Sequence, residues 1–339
     1  MGKKLIFYFR FLILVALINF YFDKSIRIEF FLKFFICLIL LLQIDIIFQH
    51  FFGFDVLGYP KSGPRSGGFF GDELIAGGFL SKVSGLYFFS TIYFLKKNKI
   101  SLNYLIFLFF IFITSVFLTG ERMALVLSLF SFLLIFILLG EIRKIIVFSS
   151  SIFLIVSFVI LINNEGLYNR HIKQNLIQLG IKNKYSSASF ADSHYGAIFL
   201  STYEMIKKKP IIGYGVKQFR DQCGSKEFSN FVSQSKKIRC STHPHNFILE
   251  ILVETGLIGL FTFLLFLYVP ASRFLKNIET LKNNDYSLLN LGAFVSFIII
   301  IWPLKTSGSF FNNYNSIIFW FIISFAFLNY KKISEQKNE

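Results

Sequence analysis

The sequence predicts an all-α fold: a polytopic bundle of about nine transmembrane helices with one large extracytoplasmic loop that carries short helices. Three observations predict it. Of the 339 residues, 54% are hydrophobic and 16% charged, too few charges for a soluble domain of this size. The apolar residues, 48 Phe among them, fall in long uninterrupted runs rather than in period-2 alternation, which excludes a β-barrel. Lys and Arg gather in short loops and at the C-terminal end.

Runs of roughly 18 to 22 apolar residues cross the hydrocarbon core as helices. They are expected near Leu5–Phe22, Phe30–Gln49, Asp72–Leu95, Ser101–Leu118, Arg122–Leu139, Ile145–Ile162, Phe247–Pro270, Ser287–Leu304 and Phe310–Tyr330. The first run ends at "NFYFDKS" with no small-residue cleavage site, so it reads as a signal anchor or first span. Cys37, inside the second run, reads as a small core residue. The basic segments Lys96–Lys99, Glu141–Lys144, Ser272–Asn284 and the tail from Lys331 can all be cytoplasmic at once. The loops "LTGER" and "PLKTSGS" and the stretch Asn163–Asn246 then face outward. The N-terminus conflicts with this order: an odd number of spans puts it outside, whereas "MGKK" and Arg10 favour inside. The chain thus divides into N-terminal helices (1–162), a large outward loop (163–246), and C-terminal helices with a cytoplasmic tail (247–339).

A net charge of +16 would suggest nucleic acid in a soluble protein. Here the lysines sit where they set topology or meet anionic lipid, and no nucleic-acid motif accompanies them, so the expected partner is the bilayer.

The outward segment is about 80 residues long, more than a connector needs. Within it, "SHYGAIFLSTYEMIKKK" (Ser193–Lys209) has the apolar spacing of an amphipathic helix lying at the membrane surface. "PIIGYG" (Pro210–Gly215) stops that helix, since Pro cannot continue it and the glycines permit a tight turn. Cys223 and Cys240 follow on the outward side, where a disulfide between them is expected; two free thiols are the alternative.

On this topology Arg65, Arg122, His194, Arg220, His243 and His245 all lie on the outer face, at span ends rather than mid-membrane. That placement favours a site acting at the outer interface over a path across the bilayer. Arg122 opens a helix with a planar, permanently charged group suited to a phosphate or diphosphate; a snorkelling anchor is the alternative. His245 is the candidate base, because a neutral imidazole accepts a proton at ordinary pH. Asn246 suits the N-cap of the next helix, and Glu250 and Glu254 share its face. One of these glutamates could orient a histidine, or both could simply favour the helix start. Gly256 and Gly259 allow close packing. His50 and His171 stand alone and read as interfacial or solvated. The His-x-His pair lacks a third ligand at standard spacing, and no G-x-S-x-G or Walker A segment occurs. Neither metal nor cofactor is expected.

The segment from His245-Asn246 to Gly256 and Gly259 resembles the signature of the O-antigen ligase family, bacterial membrane glycosyltransferases. Four further stretches are similar to the same family and stand in its order: Arg65–Lys82, "TGERMALVLSL", Lys208–Arg220 with its Pro-x-x-Gly-x-Gly-x-x-x-Phe pattern, and Pro303–Trp320. The resemblance covers Arg65 to Tyr330. It implies a donor glycan on undecaprenyl diphosphate and transfer at the periplasmic face of the inner membrane. The implied acceptor is the hydroxyl of lipid A-core or another glycan. It also implies that Arg122 holds the diphosphate and His245 serves the acceptor. Where the family has a second arginine at the start of the loop helix, this chain has His194, and Arg220 is the other candidate for that charge. Arg65, His243 and Asn246 complete the expected substrate-binding set. Members carry more spans before the first motif, so a shortened N-terminal end is implied. A polymerase of lipid-linked repeats is the sibling alternative, and a lipid-linked glycan transporter the more distant one.

Overall fold

The computed structural model describes residues 8–22, 24–178, 194–225, 228, 239–280, 286–330 and 333. The start of the first expected span, the residues preceding His194, and the tail from Lys331 apart from Ile333 lie outside them. Among the described residues the fold is helical, and two isolated bridges, Phe54 with Pro60 and Ser62 with Arg65, are the extended pairings.

A helix stands at each expected apolar run. In chain order we label α1 (Phe9–Tyr21), α2 (Ser25–Phe52), α3 (Ala76–Lys97), α4 (Tyr104–Leu118), α5 (Arg122–Leu138) and α6 (Arg143–Asn163). The loop helix α7 (His194–Lys208) follows, then α8 (Phe247–Thr280), α9 (Ser287–Ile301) and α10 (Asn313–Ser324). Three segments, Ile26–Phe52, Gly140–Asn163 and Phe247–Thr280, are long and apolar enough to cross a membrane by length and composition. Helices α1, α4, α5, α9 and α10 are apolar but shorter. Phe148, Leu154, Ile155, Phe158 and Ile162 of α6 are all more than half exposed, an apolar surface that lipid tolerates and water does not.

Two boundaries differ from expectation. Helix α8 runs through Pro270 to Thr280, because a proline in an apolar helix withholds one N–H without ending it. It is interrupted instead at Gly256, whose φ of 68° and ψ of −170° are non-helical. Helix α10 gives way at Phe325–Phe327 to a 3-10 turn. Cys37 also departs from its reading: it is exposed on α2, not in the core.

Two compact units emerge from the packing. The first comprises Met1–Ala16, Asn175–Ser272 and Trp302–Phe321; the second comprises Leu17–Gln174, Arg273–Ile301 and Ile322–Glu339.

In the second unit, α3 packs on α9 through glycines. A β-carbon on Gly85 would stand 2.5 Å from the Gly292 carbonyl oxygen and 2.7 Å from the Ser296 nitrogen. Such close approach lets the Leu86 amide donate to Ser296 Oγ at 3.0 Å, a polar contact between apolar helices. Around it, Phe88 stacks on Phe109 at 3.9 Å between ring centroids, and Phe132 meets Phe109 edge-on at 4.8 Å.

In the first unit, α7 buries Ala197, Ile198, Ser201, Thr202 and Met205, the stripe its periodicity predicts. Protein covers that stripe: Ile198 and Met205 pack with Phe219, Cys223, Phe228 and Val253. The amphipathic pattern of α7 is therefore satisfied within the unit.

Candidate functional site

The first unit holds the histidines. His243, Pro244 and His245 lead into α8, and Asn246 caps it: Asn246 Oδ1 accepts from the amides of Ile248 (3.0 Å) and Leu249 (3.1 Å). The same side chain donates through Nδ2 to the carbonyls of Pro303 (2.8 Å) and Lys305 (3.2 Å). One asparagine thus starts the helix and ties the segment 303–310 to it.

That segment is fastened at four further points. The Ser307 amide donates to the His245 carbonyl at 2.8 Å, and His243 Nε2 donates to the Ser307 carbonyl at 3.1 Å. Glu250, only 1% exposed, accepts from Ser309 Oγ and, at 2.7 Å, from the Phe310 amide. His245 is held in a left-handed conformation, φ 55°, rare for a residue with a side chain.

The two rings then differ in role. The His243 and His245 centroids are 4.2 Å apart. His243 Nδ1 accepts from Thr242 Oγ1 at 2.9 Å while Nε2 donates to Ser307, so both of its nitrogens are engaged as a neutral ring. Burial pushes its pKa down, the Ser307 bond opposes that, and the nearby Arg220 guanidinium adds to it. His245 pairs through Nε2 with Ser241 Oγ at 3.0 Å and meets the Tyr195 ring edge-on. A small hydroxyl in that position is a partner that a substrate hydroxyl can replace.

Glu254 stands one turn further along the helix than Glu250. Its Oε2 accepts from the Lys217 amide at 2.6 Å, near Arg220, an exposed residue of the short helix Phe219–Gln222 whose first residue is buried. Pro210–Gly215 inserts at the Gly256 break: the Tyr214 amide donates to Val253 O (3.0 Å), Gly215 to Glu254 O (2.7 Å), and Leu257 to Pro210 O (2.8 Å). Backbone groups freed by the break are thereby satisfied. Glu250 and Glu254 accordingly anchor loops around the site. The atoms nearest a β-carbon on Gly259 would be those of Thr255 of α8 itself. Cys223 and Cys240 are disulfide-bonded with Cα atoms 5.9 Å apart, joining the end of the short helix that carries Arg220 to the segment that leads to His243. The buried Arg239 donates to the Cys223 carbonyl at 2.7 Å. His194 is the first residue of α7.

The second unit holds the arginines Arg65 and Arg122, at the turn Thr119–Gly120–Glu121 before α5. Arg65 donates to the Leu74 carbonyl at 3.0 Å, Arg170 donates to the Gly120 carbonyl at 3.0 Å, and both side chains lie close to Gly120. A β-carbon on Gly120, φ 66°, would stand 3.0 Å from Arg65 Cγ and 3.6 Å from Arg170 Cγ. Glu121 accepts from the Gly77 (2.8 Å) and Gly78 (3.1 Å) amides, where the start of α3 favours a negative charge. Loss of hydration raises the Glu121 pKa, and Arg65 is the first of the groups that oppose it.

His171 is not solvated as its isolation in the sequence suggests. It is 7% exposed, stacks on Phe117 at 4.4 Å and pairs with the Phe117 carbonyl at 3.0 Å. Burial lowers its pKa, and the charges of Arg170 and Arg122 lower it further. His50 is half-buried and pairs through Nδ1 with Lys61 Nζ at 3.0 Å. Sequence reasoning missed Ser241, Tyr195, Glu121 and Arg170. Only Glu121 carried a signal, as the acid beside Arg122 in "TGER".

The long apolar helices define a membrane protein, with charged and histidine-bearing loops at helix ends. Residues 107–264, just under half of the chain, match the family model described as O-antigen ligase; the segment contains the Arg122 turn, α7, the disulfide and the two histidines. A Rickettsia conorii protein named "Putative polysaccharide ligase" is 31% identical over 121 residues, 35% of this chain and 28% of that relative. Proteins of the same name from Rickettsia felis (30% over 121 residues, 35% of this chain and 28% of the relative) and Rickettsia typhi (28% over 121 residues, 35% and 29%) are similar. The chain thus matches less than a third of the length of these relatives. No solved structure matches.

Proposed function

We propose that the protein is a membrane glycosyltransferase that moves a glycan from undecaprenyl diphosphate to an acceptor hydroxyl, lipid A-core or another glycan, at the periplasmic face of the bacterial inner membrane. The observation that carries this reading is the family match over residues 107–264, which takes in both the Arg122 turn and the histidine pair. Ligation is preferred to polymerisation because the similar Rickettsia proteins are named ligases. In this reading the apolar helices all cross the bilayer and the segment 163–246 forms the periplasmic loop.

The bond between the sugar's anomeric carbon and the diphosphate breaks, and the acceptor oxygen forms the new bond to that carbon. The acceptor proton passes to His245, which enters the step neutral, and undecaprenyl diphosphate leaves with the electron pair. Arg122, with Arg65 and Arg170 around Gly120, stabilises the charge that gathers on the diphosphate, a task that many soluble enzymes give to Mg²⁺. His243 keeps its ring neutral and holds Ser307, so that His245 keeps its left-handed backbone. Arg220, His194 and Asn246 are assigned to the glycan or its diphosphate, and Asn246 also fixes the segment 303–310.

Purified protein incubated with lipid-linked glycan and either lipid A-core or a second lipid-linked repeat tests the reading. Glycan on lipid A-core supports ligation, elongation of the repeat supports polymerisation, and no product with either acceptor refutes glycan transfer.

A further inference from the structure

The corner between α7 and α8 carries a surface that the proposed transfer does not use. Ile211 and Ile212, at the tip of the Pro210–Gly215 turn, are 59% and 72% exposed. Two bare isoleucines side by side on a turn are unfavourable in water. The tip is held in place, because the Leu257 and Ile258 amides of α8 donate to the Pro210 and Ile211 carbonyls at 2.8 and 3.3 Å. Its level along α8 is therefore fixed at the Gly256 break.

That break also divides α8 by what covers it. Glu250, Ile251, Val253 and Glu254, before it, are buried in protein. Leu257, Ile258, Phe261, Leu264 and Leu265, after it, are all at least half exposed. A helix face so rich in exposed Leu, Ile and Phe belongs in lipid, so the hydrocarbon begins close to Leu257. Ile211 and Ile212 stand at the same level.

Positive charge lies directly beside the tip. Lys207 and Lys208 end α7, Lys209 follows, and all three are exposed. Their ammonium groups stand 4.4, 5.1 and 4.6 Å from the ring centroids of Tyr203, Phe228 and Tyr214, which holds each head near a fixed place. Among the described residues Glu204 is the carboxylate that pairs with this cluster, 3.0 Å from Lys207 Nζ. Tyr203 is itself exposed, an amphipathic ring of the kind that gathers at headgroup level. An apolar tip flanked by cationic heads is the chemistry of an interfacial anchor, with the tip in acyl chains and the heads among phosphates.

We infer that the corner between α7 and α8 docks on anionic phospholipid. Ile211 and Ile212 enter the acyl chains beside Leu257, and Lys207, Lys208 and Lys209 meet the headgroup phosphates. The contact anchors the segment that carries α7 and is separate from glycan transfer, so it stands whether or not that reading does.

The test uses the full chain carrying Ile212→Cys, with the exposed Cys37 changed to Ser, labelled at residue 212 with an environment-sensitive fluorophore. The protein is reconstituted into bilayers of phosphatidylcholine and phosphatidylglycerol. One lipid or the other bears a nitroxide quencher high on its acyl chain, and iodide is the aqueous quencher. Strong quenching from the lipid and little from iodide is expected. Nitroxide on phosphatidylglycerol should quench at least about twofold more than nitroxide on phosphatidylcholine at equal fraction. Combining Lys207→Gln, Lys208→Gln and Lys209→Gln should erase that difference. Quenching by iodide alone puts the tip in water and overturns the inference. Protection from both quenchers puts the tip under protein, a second copy or another chain, and overturns it equally. Equal quenching by the two lipids, or a preference that survives loss of the lysines, overturns the anionic partner.

Discussion

Gly256 and Ile211 meet backbone to backbone: a β-carbon on Gly256 would overlap the Ile211 carbonyl, and the Ile258 amide donates to that carbonyl at 3.3 Å. The break in α8 and the Pro210–Gly215 turn are therefore one interlocked feature, in which each supplies what the other lacks. Glu254 closes it from the side through the Lys217 amide.

Gly256→Ala should be severely destabilising. It meets both a positive φ of 68° and a steric overlap with fixed backbone, together costing more than about 1–3 kcal/mol. Gly213→Ala should act alike, since its β-carbon would stand 2.5 Å from the Glu254 carbonyl carbon. Thermal unfolding in detergent checks this; an unchanged Tm for Gly256→Ala contradicts the interlock.

His245→Asn separates chemistry from conformation. Asn tolerates the left-handed φ of 55° but cannot take up a proton at ordinary pH. Transfer should fall about 10²–10⁴-fold with Tm nearly unchanged. Wild-type turnover in this variant would remove His245 as the base.

Arg122→Lys keeps the charge and loses the planar pair of donors. If Arg122 grips a diphosphate, donor binding should weaken by about tenfold or more, read as a raised KM for the lipid-linked glycan. Full activity would favour a membrane anchor. Arg170→Ala, beside Gly120 as Arg65 is, should weaken donor binding in the same direction.

The pKa of His243 is lowered by burial, so its neutral form belongs to the folded state. The unfolded chain then binds more protons between the lowered value and about 6.5, and stability must fall as pH drops through that window. His171 adds to the same slope. His243→Gln should flatten part of the loss of Tm between about pH 7 and 5. A slope identical to wild type would show that His243 does not titrate on unfolding.

Gly85→Leu should prevent α3 from closing on α9, because the Gly292 carbonyl lies 2.5 Å from its β-carbon position. Loss of monodisperse protein on size exclusion is the expected readout; a well-behaved variant would mean that the two helices can part without cost.

Much of the molecule was legible in its sequence. Runs of apolar residues placed a helix at each expected position, though not always its ends, because an apolar chain in lipid must satisfy its backbone internally and a helix does so locally. Asn246 as a cap, Pro210 as a stop and the apolar stripe of α7 were readable for the same reason: each is decided within a few residues of itself. The resemblance singled out Arg122 and His245, and both positions lie within the segment that the family model matches.

What only tertiary structure decided was the use of groups that meet across long separations. Glu250 could have served a histidine, yet it holds Phe310, 60 residues away; Arg170 carried no motif, yet it lies on the Gly120 carbonyl, 50 residues away. His171, read as interfacial or solvated, is buried and stacked on Phe117. Local patterns report how a segment treats its own backbone and which face it hides. They are silent on which partner meets a polar side chain, because that follows from the packing of whole helices, and the same carboxylate or imidazole fits many partners until that packing selects one.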